Sequence, residues 1–409
     1  MHGTFEQIRV RLAQMGSREQ YGVPLALLKH GILELFITDF WNWWADKLRK
    51  ISSLSKWEIL VKSLSNFHPE IPQEKVVAFN WLGIMARLSS LRARKRSNEA
   101  FNAHFLKYGK AFCNVVNRIP KGDHNVFIGF SSASLESIKM EKELGNLTIL
   151  DQIDTARFDS QIVLEERSLF PGWETNNLLY NEEYLERVEA EWRMADIIVV
   201  NSEFSKKALI YQGVSPQKIS VIPIMYVNGH GMVRSRKYNM HKIKLNVLYL
   251  STVNLRKGIQ YLIQAASLLK NAPVTFTVVG PIEITQEAMS QAPPNVEFVG
   301  YKPLVHQWFE QADLFLFPTI TDGFGRVQLE AMAHGLPVIA TTNCANVVTP
   351  EKDGFIVPIR DPGAIAAAIN RFLENFQLLS YMSENAREKV AAFGFEPVST
   401  SWRKVIETT

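Results

Sequence analysis

Two carboxylates stand eight positions apart in the stretch TDGFGRVQLEAMAHGLPVIATT, Asp322 and Glu330. A carboxylate only accepts hydrogen bonds, which suits the paired hydroxyls of a sugar or ribose. Gly323 and Gly325 lie between them and would let backbone approach a ligand with no Cβ in the way. The periodicity predicts a helix from about Val327 to His334, ended by Gly335, with Pro337 opening the next strand. Glu330 then lies near a helix start, where an acid also complements the helix dipole, so spacing alone leaves both readings open. A second stretch, STVNLRKGI (251–259), sets Arg256 and Lys257 just before Gly258. Two cations at a helix start could hold a phosphate or diphosphate, or be ordinary solvated surface.

The elements that must position these residues are strands. The runs VLYLS, VTFTVVG, VEFVG, LFLFP and PVIAT alternate with helical stretches, among them one from Gly258 with Ile259, Leu262, Ile263, Ala266 and Leu269 on one face. Strands this apolar belong to a parallel sheet covered on both faces by crossover helices. The N-terminal half repeats the theme in ELFIT, KVVAFN, NVFIGF, LTILDQ, IIVVNS and ISVIP, with helices expected over 132–145 and 181–196. Residues 228–244 read as a linker. We expect an α/β chain of two Rossmann-like domains, 1–235 and 236–390, with 391–409 a terminal helix packed back on the body. The cleft between them receives the carboxyl ends of the strands, where open α/β sheets bind ligands.

Composition excludes several functions. With 45 basic and 41 acidic side chains the net charge is +4, too small for a dedicated nucleic-acid protein. Cys113 and Cys344 form no metal-binding spacing, and the nine histidines form no HxH or HExxH pair, so neither a structural zinc nor a resident cofactor is expected. The N-terminus lacks a hydrophobic signal core, and no apolar run approaches the ~20 residues of a membrane span. A cytoplasmic location is expected, with the inner face of the membrane as an alternative.

PTITDGFGRVQLEAMAHGLPVIAT resembles the E-x7-E segment of retaining glycosyltransferases with the GT-B fold, the family-4-like group written EGFGxxxLEAMAxGxPVI. Asp322 takes the first acidic position and Glu330 the second; Phe324, Gly325, Leu329, Ala331, Met332, Ala333, Gly335 and Pro337 also match. LYLSTVNLRKGIQYLIQA, VEFVGYKP, ADLFLFPT and ADIIVVNSEFSKKAL resemble further stations of the group, in order. The resemblance implies a GT-B fold and transfer of a sugar from a nucleoside-diphosphate donor, with retention and without a metal. It implies that Glu330 holds the ribose hydroxyls, that Asp322 with the backbone of Gly323, Phe324 and Gly325 addresses the donor sugar, and that Arg256 and Lys257 neutralise the diphosphate.

The sequence departs from the group in three places. The first acid is Asp322, one methylene short. Thr252 stands at the usual basic position, so Arg256 is expected to supply that cation from the other end of the loop. In LTILDQIDTARF the group's histidine is absent; Asp151, Gln152 and Asp154 replace it, either as sugar contacts or as strand-end caps. Backbone near Tyr301 to Leu304 is expected beside the nucleotide base and leaves base and sugar unnamed. DFWNWWADKLRKISSLSKW (39–57) places Trp41, Trp44, Leu48 and Ile51 on one helical face, which suits core or acceptor-cleft packing or an interfacial helix. RLSSLRARKR (87–96) carries five cations, either a solvated face or a contact with anionic lipid or a diphosphate-linked acceptor. The acceptor is thus a carbohydrate, a lipid-linked or another small molecule. Competing readings are a non-catalytic sugar-nucleotide binder and a GT-B-type sugar-nucleotide epimerase. A pyridoxal-phosphate phosphorylase shares the architecture, but the chain is short and shows no cofactor lysine.

Overall fold

A computed structural model of the chain describes residues 8–42, 66–93, 97–176, 178–226 and 244–408. Within them lie two all-parallel sheets. The first holds β1 (Val10–Gln14), β2 (Leu33–Thr38), β3 (Val76–Ala78), β4 (Val126–Phe130), β5 (Leu147–Gln152), β6 (Ile197–Val200) and β7 (Ile219–Val221), in the order β3-β2-β1-β4-β5-β6-β7. Its helices are α1 (Gly22–Lys29), α2 (Asn80–Ala93), α3 (Asn98–Val116), α4 (Leu135–Glu143), α5 (Arg157–Leu169), α6 (Glu182–Met194) and α7 (Glu203–Tyr211). The second sheet holds β8 (Leu245–Leu250), β9 (Val274–Val279), β10 (Val296–Gly300), β11 (Leu314–Phe317), β12 (Val338–Thr341) and β13 (Gly354–Val357), ordered β10-β9-β8-β11-β12-β13. It carries α8 (Ile259–Leu268), α9 (Gln286–Ser290), α10 (His306–Gln311), α11 (Val327–Ala333), α12 (Pro362–Glu374), α13 (Gln377–Val390) and α14 (Phe395–Glu407).

Strand order reverses at β1/β4 in one sheet and at β8/β11 in the other, so the crevices for ligands open beyond Gln14 and Phe130 and beyond Leu250 and Phe317. Each sheet is buried on both faces, as its unbroken apolar strands require. Two strands escape the sequence patterns. β1 is central yet holds Arg11, whose buried guanidinium donates to the Val116 carbonyl at 2.7 Å and lies 3.9 Å from Glu141. A charge inside a strand breaks the apolar signature, and only these distant partners make its burial affordable. β13 is four residues long and follows Gly354, too short to stand out.

Two segments cross between the halves. α14 leaves the second sheet and buries Val398, Trp402 and Ile406 in the core of the first, against α1. α5 and the loop after it do the converse, placing Ile162 and Trp173 in the core of the second sheet. Glu166 on α5 is fully buried there, accepting from Gln260 (2.7 Å), Tyr261 (3.0 Å) and Arg360 (2.5 Å). Backbone bonds Thr175 N–H to Glu283 O and Thr285 N–H to Trp173 O stitch the loop down. A buried carboxylate is tolerable only when so fully paired, so this contact fixes the two halves in one arrangement.

The linker segment, apart from residue 244 at its end, and residues 43–57 of the tryptophan-rich stretch lie outside the described residues. Trp41, at the start of that stretch, is a core residue packed edge-on to Tyr21, Phe36 and Phe67, with its indole N–H donated to Gln73.

Candidate functional site

After β8 the chain makes one turn of 3-10 helix, Leu255–Lys257, capped by the Asn254 side chain, which accepts from Lys257 N–H at 3.1 Å. The turn ends at Gly258 with φ +77°, where a Cβ would meet the Pro318 carbonyl at 1.8 Å. Only glycine has both the conformation and the clearance, and the loops beyond β8 and β11 therefore touch. Arg256 O accepts from Ile320 N–H (2.9 Å) and the Thr319 hydroxyl (3.2 Å). Basic loop and acidic loop form one rigid unit.

Their side chains meet in the same way. Lys257 makes an ion pair with Asp322, both largely buried. The other Asp322 oxygen accepts from the N–H groups of Phe324 (3.1 Å) and Gly325 (2.9 Å). Burial would push the Asp322 carboxyl up, but Lys257, Arg256 and these N–H donors outweigh it and hold it below the usual carboxylate range. Burial lowers the Lys257 ammonium in turn, against the pull of Asp322. Arg256 reaches across to Asp159 on α5 at 3.0 Å, which raises its already high pKa further. Asp159 also accepts from Thr321 and, at 2.9 Å, from Thr155. Thus Arg256 and Lys257 do lie together at the carboxyl end of β8, each matched by a carboxylate.

The glycines also serve a purpose that the sequence did not show. A Cβ on Gly323 would lie 2.3 Å from the Ile153 carbonyl and against Asn201, and on Gly325 (φ +76°) it would strike the Phe317 ring at 2.4 Å. Gly323 O accepts from the hydroxyls of Ser202 (2.5 Å) and Ser205 (3.2 Å) at the start of α7. Glycine at 323 thus lets the acidic loop dock on the N-terminal half, and at 325 it clears a core ring. Phe324 itself is buried, edge-on to Phe393, so only its backbone can serve a ligand.

Glu330 sits in the first turn of α11, its side chain one-third exposed, 3.4 Å from Arg326. That placement accommodates both dipole pairing and ligand contact. Thr252 lies in the loop after β8, its carbonyl accepting from the Tyr249 hydroxyl at 2.8 Å. Tyr301 and Leu304 are each 69% exposed on the loop after the edge strand β10, two strands from β8.

In the N-terminal half, Asp151 and Asp154 separate. Asp154 caps the turn beyond β5, accepting from Ala156 N–H (3.0 Å) and Gln152 (3.2 Å), and burial with the nearby Asp159 raises its pKa. Gln152 is occupied by that turn and by the Trp192 indole at 2.8 Å. Asp151 is buried, and one of its oxygens has no hydrogen-bond partner among the described residues. Burial pushes its carboxyl up to about 7, against the opposing charge of Arg18.

Facing Asp151 is a group that pattern reasoning missed. Glu19, Gln20 and Tyr21, in the loop after β1, run through three consecutive left-handed conformations, φ +49°, +53° and +64°. Such backbone costs roughly 1–3 kcal/mol per residue and concentrates at functional sites. The loop is held by Gln14, which donates to the carbonyls of Gly16 and Arg18, and by Asp39, which accepts from Gly16 N–H at 2.6 Å. Burial and the charge of Asp151 push Glu19 up to about 8, opposed by a backbone N–H of Met225 and by Arg326 and Arg18. Arg326 thus acts on Glu330 in its own half and on Glu19 in the other. Glu19 carries no motif, and β1 itself is hidden by Arg11, so nothing local marks the loop.

Residues 244–375 match the family model described as Glycosyl transferases group 1. The chain is similar to the capsular polysaccharide biosynthesis glycosyltransferase CapM of Staphylococcus aureus, 27% identical over 230 residues, covering 51% of this chain and 60% of that protein. It is also similar to the D-inositol 3-phosphate glycosyltransferase of Paenarthrobacter aurescens, 24% identical, with 52% and 49% covered. The matches thus span about half the length of these curated relatives. Among solved structures, Anabaena HepE in complex with UDP and glucose superposes over 98% of this chain and 100% of that one, with TM-score 0.61 and 15% identity. The lipopolysaccharide outer core galactosyltransferase WaaB gives TM-score 0.60 at 13% identity, covering 98% and 99%. The two-sheet architecture is the GT-B fold, and residues 244–375 are similar to the glycosyl transferases group 1 family.

Proposed function

We propose that the protein is a retaining, metal-independent glycosyltransferase that moves a sugar, a hexose in the first instance, from a nucleoside-diphosphate donor to a hydroxyl acceptor. The observation that carries this reading is the juxtaposition of Arg256 and Lys257 beyond β8 with Asp322 and Glu330 beyond β11, at one switch point. Glu330 binds the ribose hydroxyls, and Arg256 and Lys257 bind the diphosphate. As the anomeric C–O bond breaks, its electron pair goes to the phosphate oxygen, and the two fixed cations stabilise that charge where a divalent ion would otherwise serve. The acceptor hydroxyl bonds to the anomeric carbon on the same face and passes its proton to the leaving phosphate oxygen. Asp322, with the Gly323, Phe324 and Gly325 backbone, addresses the donor sugar, and its present bonds to the Phe324 and Gly325 N–H groups open when sugar hydroxyls compete for them.

The N-terminal half supplies the other wall. Asp151, with its unpartnered oxygen, and Glu19 opposite face the transferred sugar or the acceptor, while Tyr301 and Leu304 border the base. UDP-sugars are the first donors to test, since HepE is in complex with UDP and glucose. Capsular or related polysaccharide synthesis is the setting that CapM suggests, and we place it in the cytoplasm or at the inner face of the membrane.

A thermal-shift series over UDP, GDP, ADP, TDP and their sugars tests the donor site, since a ligand selective for the native state raises its stability. Transfer to an acceptor panel in the presence of EDTA, abolished in Glu330→Ala, supports the reading. Tight donor binding with no turnover favours the sugar-nucleotide binder, for which the ready pairing of both cations speaks. Interconversion of donors with no acceptor present favours the epimerase.

A further inference from the structure

α2 begins two residues beyond β3, at the edge of the first sheet, and one face of it is bare. Leu82 and Ala86 are buried, whereas Trp81 (61% exposed), Ile84 (48%), Met85 (51%) and Leu88 (48%) follow one another at the i, i+3, i+4, i+7 spacing of a single helical stripe. Large apolar side chains scattered singly are ordinary, but four contiguous ones mark a contact surface. The helix is firmly seated, so the stripe is no product of fraying. Gly83 packs so closely that a Cβ would come 2.7 Å from the Asp39 carbonyl, and the Arg87 guanidinium stacks 4.2 Å over the Phe40 ring.

Charge identifies the occupant. Between Lys75 and Glu99 the chain has five cations, Arg87, Arg92, Arg94, Lys95 and Arg96, and no acid. Tryptophan and aliphatic side chains in a stretch of sequence rich in cations and free of acids suit the headgroup boundary of an anionic bilayer. No helix among the described residues is long and apolar enough to cross a membrane, so the attachment is in the plane of the surface. We infer that α2 docks the protein on an anionic lipid bilayer through Trp81, Ile84, Met85 and Leu88. Asp39, against which α2 packs, also accepts from Gly16 in the loop that carries Glu19. Through Asp39, α2 is thus tied to the loop on the N-terminal wall of the cleft, and a lipid-borne acceptor would reach that wall from the membrane.

Flotation with vesicles of phosphatidylcholine and phosphatidylglycerol, against phosphatidylcholine alone, tests this without any sugar transfer, so its failure is separate from failure of the transferase reading. Wild-type protein should float with the anionic vesicles, at least about tenfold more weakly with the neutral ones or in high salt. Trp81→Glu/Leu88→Glu should lose at least about tenfold in partitioning with an unchanged melting temperature. Trp81→Ser/Ile84→Ser/Leu88→Ser is the milder replacement should the charged pair fold poorly. Tyr381→Glu, an exposed aromatic on α13, should float like wild type. Absence of wild-type binding to anionic vesicles, or equal binding by the α2 variants, overturns the inference. So does a wild-type dimer that the variants convert to monomer, which assigns the stripe to a second copy. New protease sensitivity in residues 43–65 with vesicle binding intact assigns it to the chain's own segment.

Discussion

The two walls of the cleft handle charge in opposite ways. On the C-terminal wall every key charge is matched: Lys257 with Asp322, Arg256 with Asp159, Glu330 with Arg326. On the N-terminal wall burial raises both Glu19 and Asp151, and the charge of Asp151 raises Glu19 further, with Arg18 opposing both shifts and Arg326 that of Glu19 only in part. A site already matched exchanges one anion for another and suits a diphosphate. A wall whose acids hold protons near neutral pH can offer both a donor and an acceptor and suits hydroxyl groups. The difference follows from where the partners come from, since the C-terminal loops are welded by Gly258 whereas the Glu19 loop is held in strained backbone.

The sharpest way to break the contrast is Lys257→Ala. It strands Asp322 in a largely buried place and removes a cation proposed to hold the diphosphate, so we expect a loss of about 3 kcal/mol in denaturant unfolding. Transfer should fall on the order of a hundredfold or more. Retention of wild-type stability would show that the pair is dispensable. Next is Gly323→Ala, whose methyl group meets the Ile153 carbonyl and forces the acidic loop off α7. We expect about 1–3 kcal/mol of destabilisation, with donor affinity lowered alongside.

The N-terminal wall predicts a pH dependence of stability. Glu19 and Asp151 have folded-state values of about 8 and about 7, above the roughly 4 of an unfolded carboxyl. Their favourable contribution is therefore complete below about pH 4 and lost as pH rises through 7 and 8. The melting temperature should fall from pH 5 to 8.5, and Glu19→Gln/Asp151→Asn should flatten that fall by on the order of 1–2 kcal/mol after allowing for the exposure of Glu19. A pH profile identical in the double variant would remove both acids from the account. The smallest effect is expected from Asp159→Asn, which keeps a hydrogen-bonding side chain but releases the charge on Arg256. Nucleoside-diphosphate affinity, measured by calorimetry, should rise about fivefold, the scale of a partly exposed ion pair. A fall would mean that Asp159 positions Arg256 for the ligand and does not compete with it.

Much of this was legible in the residues alone. Buried parallel strands announce themselves as apolar runs, so eleven of the strands, β2 to β12, follow from pattern. The helix from Val327, the turn at Gly335 and the face of Ile259, Leu262, Ile263, Ala266 and Leu269 are local consequences of side-chain type. The pairing of Arg256 and Lys257 with the acidic loop could be anticipated because both follow strands of one sheet. Resemblance carried the identity of the GT-B fold. What only tertiary structure decided involves partners distant in sequence. β1 exists because Val116 and Glu141, over a hundred residues away, receive Arg11. Gly323 is glycine because Ile153 and Asn201 press on it. Asp159 belongs to the site because α5 packs on the opposite sheet, and Glu19 because a strained loop turns it toward Asp151. Local sequence sets dihedral preference and amphipathic period, which act over a few residues. Charge compensation and close approach depend on which surfaces the folded chain brings together, and no window of sequence contains both sides.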